Sequence, residues 1–311
     1  MIKDLRRAMR LSIVHFMAYP AAMSGKGPIL ESIDDLTADG FFDLLEVTHI
    51  EDDALRREAV HRIHTAGMQL AYACQPLILG GKLNLHSRDA AERRRALDRL
   101  LAALDEAVEM RAVGFAVMSG PDPGQSHRAE EQKLFVDSLQ ELCTRARELN
   151  PDLAVVAETF DRVPFGKNCL VGPTSEAVDL ARKVRADFPR FGLMLDLSHL
   201  PLLNETAGEA IPLAAPVLAH AHVGNCVKKN PNNPYYGDNH PPFDYPDGEN
   251  GLPELVDFLQ CLLRAGYLDE THPPIVGVEI KPLNDAMRPA IFGNIKHYLS
   301  RALREVQSAI Q

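Results

Sequence analysis

Short apolar runs alternate with longer amphipathic stretches from one end of the chain to the other. The runs LSIVHFMAY (11–19), FDLLEVTHI (42–50), QLAYACQPLIL (69–79), GFAVMSG (114–120), LAVVAETF (153–160), FGLMLDLSH (191–199), AHAHVGNCV (219–227) and IVGVEIKPL (275–283) read as strands. Most are near-continuous in apolar residues rather than alternating, the pattern of strands covered on both faces of a parallel sheet. Between them, residues 88–110, 129–150, 172–188 and 252–267 carry helical periodicity, and a last helix begins at Ile291. Thr174 or Ser175 is the expected cap of the third of these.

Eight strands, each followed by a helix-like connection, predict a (β/α)8 TIM barrel forming a single domain over residues 1–311. An open doubly wound sheet is the rival, but no G-x-G-x-x-G follows the first strand and no G-x-x-x-x-G-K-[ST] occurs. The stretch KKNPNNPYYGDNHPPFDYPDGENG (228–251) is too rich in Pro, Gly, Asn and Asp for regular structure. Its aromatics, Tyr235, Tyr236, Phe243 and Tyr245, predict an ordered loop placed as a lid over the barrel mouth.

The polar residues that interrupt the apolar runs change the picture from scaffold to site. Glu158, Asp196, His222 and Glu279 all fall late in their strands. In a barrel, late-strand side chains face the catalytic mouth. Burying such groups without partners is costly, so they must pair or bind a cation. A late-strand Asp also serves as a helix cap, so Asp196 alone says little; four such residues in four successive strands point to a metal site. Three carboxylates and one imidazole suit Mn²⁺ best, with Mg²⁺ or Co²⁺ as alternatives. Zn²⁺ fits less well, because cysteine ligands are missing and hard oxygen donors dominate.

Composition narrows the partners. The 311 residues are 46% apolar and carry a formal net charge of -10, which repels phosphate backbones and argues against a nucleic-acid partner. Five scattered cysteines without a CxxC spacing predict reduced thiols and a cytoplasmic protein. The first apolar run is broken by His15 and Pro20 and is too short to span a bilayer. The oligomeric state is left open, a homo-oligomer being compatible with everything above.

The order Glu158 … Asp196-x-x-His199 … His222 … Glu279 resembles the sugar phosphate isomerase/epimerase family. These are xylose isomerase-like barrels that include ketose 3-epimerases, hydroxypyruvate isomerases and inosose dehydratases. The stretch PDGENGLPELVDFLQCLLRAGY is similar to the segment that precedes the family's last strand, and ETFDR (158–162) resembles the E-x-x-N-R of the ketose epimerases. The resemblance implies one divalent cation, commonly Mn²⁺, held by Glu158, Asp196, His222 and Glu279. It further implies proton transfer beside a carbonyl of a small carbohydrate, with Glu158 and Glu279 as paired acid and base.

His199 is then expected to touch substrate, its alternative being a cap on the following helix. Lys281 either binds a substrate oxygen or neutralises a carboxylate. His15, His49 and Gln75 are candidate substrate contacts, and His240 either closes the site or is a solvated loop histidine. Two departures, Asp161 in place of asparagine and Val163 in place of a further glutamate, leave the substrate unassigned. A metal-dependent lyase or dehydratase acting on a keto-inositol or 3-oxo-glycoside is the second expectation, and a binding module without catalysis the weaker one. Asp238-x-His240 also resembles endonuclease IV, but Gln75 and Ser119 stand where that enzyme needs histidines.

Overall fold

In the computed structural model, which describes residues 2–162 and 165–310, eight parallel strands close into a barrel in the order β1 to β8. They are β1 (Arg10–Val14), β2 (Leu44–Val47), β3 (Gln69–Ala73), β4 (Gly114–Met118), β5 (Ala154–Glu158), β6 (Phe191–Asp196), β7 (Leu218–Gly224) and β8 (Ile275–Glu279). Helices wrap the outside, the longest being Ala90–Glu109, Gln125–Leu149 and Arg288–Ile310. The main core lies between the outward strand faces and these helices, and includes Phe115, Phe135, Phe191 and Phe258. Inside the barrel, Leu44, Ala71 and Ile275 make one small apolar cluster and Ala116, Val156 and Met194 another, so the lower barrel is filled.

Every expected strand exists, but each ends earlier than its apolar run. The run from Leu11 stops being strand at Val14, and His15–Ala18 is a short helix ahead of Pro20. The run from Gln69 stops at Ala73, and Gln75–Gly81 is a helix with Pro76 in its first turn, where the missing N–H costs nothing. The expected side-chain cap at Thr174 or Ser175 is also corrected. Pro173 is the N-cap, and Thr174 donates its N–H and its hydroxyl to Glu205, whose carboxylate suits the positive helix end.

Two structural details place the site. Strand register sets Asp196 beside His222, His222 beside Gly277, and Gly224 beside Glu279. The stretch 228–251 is irregular but tethered: Tyr235 and Phe243 are buried, and the Tyr235 hydroxyl donates to the Lys281 carbonyl oxygen. All five cysteines are free and buried. Among the described residues, no helix is long and apolar enough to cross a membrane.

Candidate metal centre

Glu158, Asp196 and Glu279 are the last residues of β5, β6 and β8, and His222 lies in β7 two residues from its end. The barrel brings the four together, each offering one ligand atom within 4.8 Å of the others. His222 Nδ1 stands 3.1 Å from Glu279 Oε2, 3.9 Å from Asp196 Oδ2 and 4.0 Å from Glu158 Oε1. Glu158 Oε1 and Asp196 Oδ2 are buried and have no hydrogen-bond partner among the described residues. Orphaned carboxylate oxygens in a buried cluster are costly unless a cation meets them. The donor set, hard oxygens with one imidazole nitrogen, fits a divalent cation.

The other atoms of these side chains are held in place. Asp196 Oδ1 accepts from the Ser198 N–H at 2.6 Å, so one oxygen shapes the turn while the other faces the cluster. Gln75 Nε2 donates to Glu158 Oε2 at 2.6 Å. His222 Nε2 faces the Glu46 carboxylate, 2.9 Å from Oε2 and 3.1 Å from Oε1, which leaves Nδ1 turned to the other three carboxylates. Glu46 also accepts from Ser12 Oγ and meets His220 Nε2 at 3.2 Å. Burial opposes its charge, but His222 and His220 hold its carboxyl well below the ordinary range.

A second charged cluster adjoins the first and centres on Asp238. Asp238 Oδ1 is 3.1 Å from His199 Nε2 and 2.8 Å from His240 Nε2, and Oδ2 pairs with the Lys167 ammonium. His199 donates from Nδ1 to the Thr159 carbonyl oxygen at 2.7 Å. Burial alone would lower its pKa, but Asp238, Asp196 and Glu158 raise it to about 10, so the ring is an imidazolium. For Glu158, burial dominates and lifts the carboxyl to about 7. Glu279 moves the other way, to about 2, because His240 and His222 outweigh its burial. Two other groups of potential ligands adjoin the main cluster. In the first, Glu46 is already engaged by the Nε2 atoms of His220 and His222; the second, Asp196 with His199 and His240, shares Asp196 with the main cluster and has its His199 Nε2 turned to Asp238.

A cavity of about 190 Å³ opens beside the four residues. Glu158, His222 and Glu279 are on its wall with Glu46, Gln75, Lys167, Asp238 and Lys281. Gln75 and Lys281 are therefore brought to the site. His199 and His240 are buried behind it, His240 with Nε2 3.3 Å from Glu279 Oε1. His49 is not brought there: its Nδ1 turns to Glu106 Oε2, 2.6 Å away on the helix Ala90–Glu109, and the ring lines a different pocket. His15 is a core residue bonded to Ser32 Oγ. Ser119 Oγ accepts from the Val171 N–H, and Val163 lies outside the described residues.

Glu46, His220 and Lys167 escaped the sequence reading. Glu46 interrupts the apolar run of β2 just as Glu158 interrupts β5, and His220 shares a strand face with His222 two residues on, so both carried a usable signal. Lys167 comes from an irregular loop, where no periodicity aims a side chain.

No curated protein sequence matches the chain. Solved structures match over most of its length at low identity. L-ribulose 3-epimerase superposes with a TM-score of 0.71 at 15% identity over 97% of both chains. The IOLI protein with a bound zinc atom gives 0.68 at 15% over 94% of this chain and 99% of that one. The 3-keto-D-glucoside 4-epimerase from E. coli gives 0.62 at 16% over the same shares, 94% and 99%. These likenesses establish the fold. The sequence model that describes the xylose isomerase-like TIM barrel matches residues 35–291, most of the chain, and the chain belongs to that family.

Proposed function

We propose that this chain is a divalent-cation-dependent sugar isomerase or epimerase, acting on a keto-sugar or related polyol ketone by moving a proton beside its carbonyl. One observation carries the reading. Two buried carboxylate oxygens without hydrogen-bond partners among the described residues, Glu158 Oε1 and Asp196 Oδ2, converge with His222 and Glu279 beside a barrel-mouth cavity that Glu158, His222 and Glu279 line. The epimerases among the structural neighbours lend support through the shared fold alone.

Glu158, Asp196, His222 and Glu279 would hold the cation, with Mn²⁺ our choice over Mg²⁺, Co²⁺ and Zn²⁺ on the balance of oxygen donors. When bound, a divalent cation at this position polarises a carbonyl and an adjacent hydroxyl and so acidifies the C–H between them. The chain's own residues do the rest. Glu158 Oε1 and Glu279 Oε2 lie 4.0 Å and 3.1 Å from His222 Nδ1, and the two carboxyl groups serve as the base that takes the proton and the acid that returns it. Gln75 donates to Glu158 Oε2 and so holds the carboxylate with Oε1 toward the other three residues. The His199 imidazolium, anchored by Thr159 and Asp238, supplies positive charge next to Glu158 at 3.8 Å. Lys281 reaches a substrate oxygen from the cavity wall, and His240 orients Glu279.

The test is to incubate cation-loaded protein in D₂O with a panel of ketoses, keto-inositols and 3-oxo-glycosides. Deuterium is expected at a carbon beside the carbonyl, in a product that retains every substituent. Deuterated product that has lost a substituent would move the assignment to the lyase reading, which shares the first proton abstraction. No exchange in any ketone, with the cation bound, contradicts the proposal.

A further inference from the structure

The cavity at the metal centre is two-faced. Most of its charged groups come from β5, β7, β8 and the loops carrying Lys167 and Asp238. Val14, Phe16, Met17, Met23, Ala73 and Leu79, from β1 and β3 and the segments after them, make an apolar wall interrupted by Glu46 and Gln75. A polyol offers hydroxyls on every carbon and has little use for such a wall. At about 190 Å³ the cavity also falls short of the roughly 300–1,000 Å³ usual for sites that enclose a whole ligand.

The apolar wall does not end at the cavity. Met23 and Pro76 also line a second pocket, of about 370 Å³, whose other walls include Leu77, Gly80, Gly81 and Leu83. The helix Gln75–Gly81 is the saddle between the two: Gln75 and Leu79 face the metal centre, Leu77 and Gly80 the second pocket, and Pro76 both. Leu79 on this saddle is 47% exposed, one of the few large apolar side chains left to solvent. Gly80 and Gly81 weaken the helix they sit in, and a Cβ at Gly80 would meet nothing within 4 Å, so this wall lies open for a ligand to approach backbone. Arg99 and His49 also line the second pocket, the His49 Nδ1 pinned by Glu106 and its Nε2 left for another partner.

We infer that the second pocket is a subsite for an apolar substituent of the substrate. The substrate is a keto-sugar joined to an aryl group, with the sugar at the metal centre and the ring crossing Met23 and Pro76. His49 and Arg99 meet hydrogen-bond acceptors at the ring's outer edge. This assignment rests on the sugar reading of the metal centre and adds the part of the ligand that the centre does not hold. It also returns His49 to substrate recognition, at a distance from the chemistry.

The test is equilibrium binding to the cation-loaded protein of matched methyl and 4-nitrophenyl β-D-glycosides, in gluco, galacto, manno and xylo series, by calorimetry. In at least one series the nitrophenyl member is expected to bind about tenfold tighter or better, the size of effect that burying a phenyl ring supplies. Gly80→Phe, which fills the second pocket, is expected to abolish that difference without moving the methyl member. Arg99→Met is expected to reduce it in part. Equal affinities in every series, binding of neither member, or a difference that survives Gly80→Phe overturns the assignment. No turnover is involved, so this failure is separate from a failure of deuterium exchange.

Discussion

Glu46 Oε2 lies 2.9 Å from His222 Nε2, across the barrel from a residue 176 positions away in the chain. The outer nitrogen of the imidazole is thereby committed to a buried carboxylate, and the inner nitrogen faces Glu158, Asp196 and Glu279. A carboxylate behind a ligating imidazole fixes its tautomer and raises its basicity. Glu46→Gln should therefore weaken divalent-cation affinity by about 10–100-fold while the fold is retained. Titration against a competing chelator measures this. Unchanged affinity would reduce Glu46 to a space-filling role.

Gly277 makes that relationship sterically permissible. A Cβ there would collide with Glu46 Oε1 and lie 2.7 Å from both His222 Cδ2 and Ser12 Oγ. Gly277→Ala, a single added methyl, should push Glu46 off His222 and lower cation affinity in the same direction as Glu46→Gln. The two changes should not add, because they break one contact. Chelator titration of the double variant decides it, and fully additive losses would show two separate effects.

Asp238 and Lys167 differ in how many partners depend on them. Asp238 neutralises Lys167, His199 and His240, whereas Lys167 pairs with Asp238 alone among these. Removing one member of a buried ion pair costs roughly 3–5 kcal/mol when its partner is left uncompensated. Asp238→Asn should approach that range. Lys167→Met should cost distinctly less, since a quarter of the Lys167 side chain is exposed and two imidazoles still face Asp238. Urea unfolding of the two variants gives the order, and a larger loss from Lys167→Met would reverse this view of the cluster.

His15 gives the chain a pH-dependent component of stability away from the metal centre. Burial lowers its pKa from 6.5 to about 4 in the folded state. The unfolded chain thus binds the proton first, and folding stability is full above pH 6.5 and falls as the pH drops toward 4. At pH 5 the loss is on the order of 2 kcal/mol. His15→Leu should flatten this part of the profile, and Ser32 Oγ keeps its bond to the Ile29 carbonyl oxygen in that variant. Unfolding free energies at pH 7 and pH 5 compare the two proteins; an equal drop in both would assign the acid sensitivity elsewhere.

The barrel was readable from the alternation of apolar runs and amphipathic stretches, because both periods survive in the strands and helices that form. Glu158, Asp196, His222 and Glu279 could be picked out because charge inside an apolar run is expensive, and β5 to β8 do bring them together. Strand ends were less readable: an apolar run continues through His15–Ala18 and Gln75–Gly81 although the chain has turned into helix. That error explains His49. The apolar run 42–50 includes it, but the strand ends at Val47, and two residues later the ring turns to Glu106. The bond from Glu46 to His222 is set by strand register and by the space at Gly277, neither of which a one-dimensional pattern contains.

The most direct measurement of the central claim is the metal content of the purified protein and of its Glu158→Ala and Asp196→Ala variants, each dialysed against Mn²⁺ and analysed by plasma mass spectrometry. About one divalent ion per chain is expected in the parent protein, as for a single buried site with four protein ligands, and little in either variant. Equal metal content in all three would contradict the assignment of the centre.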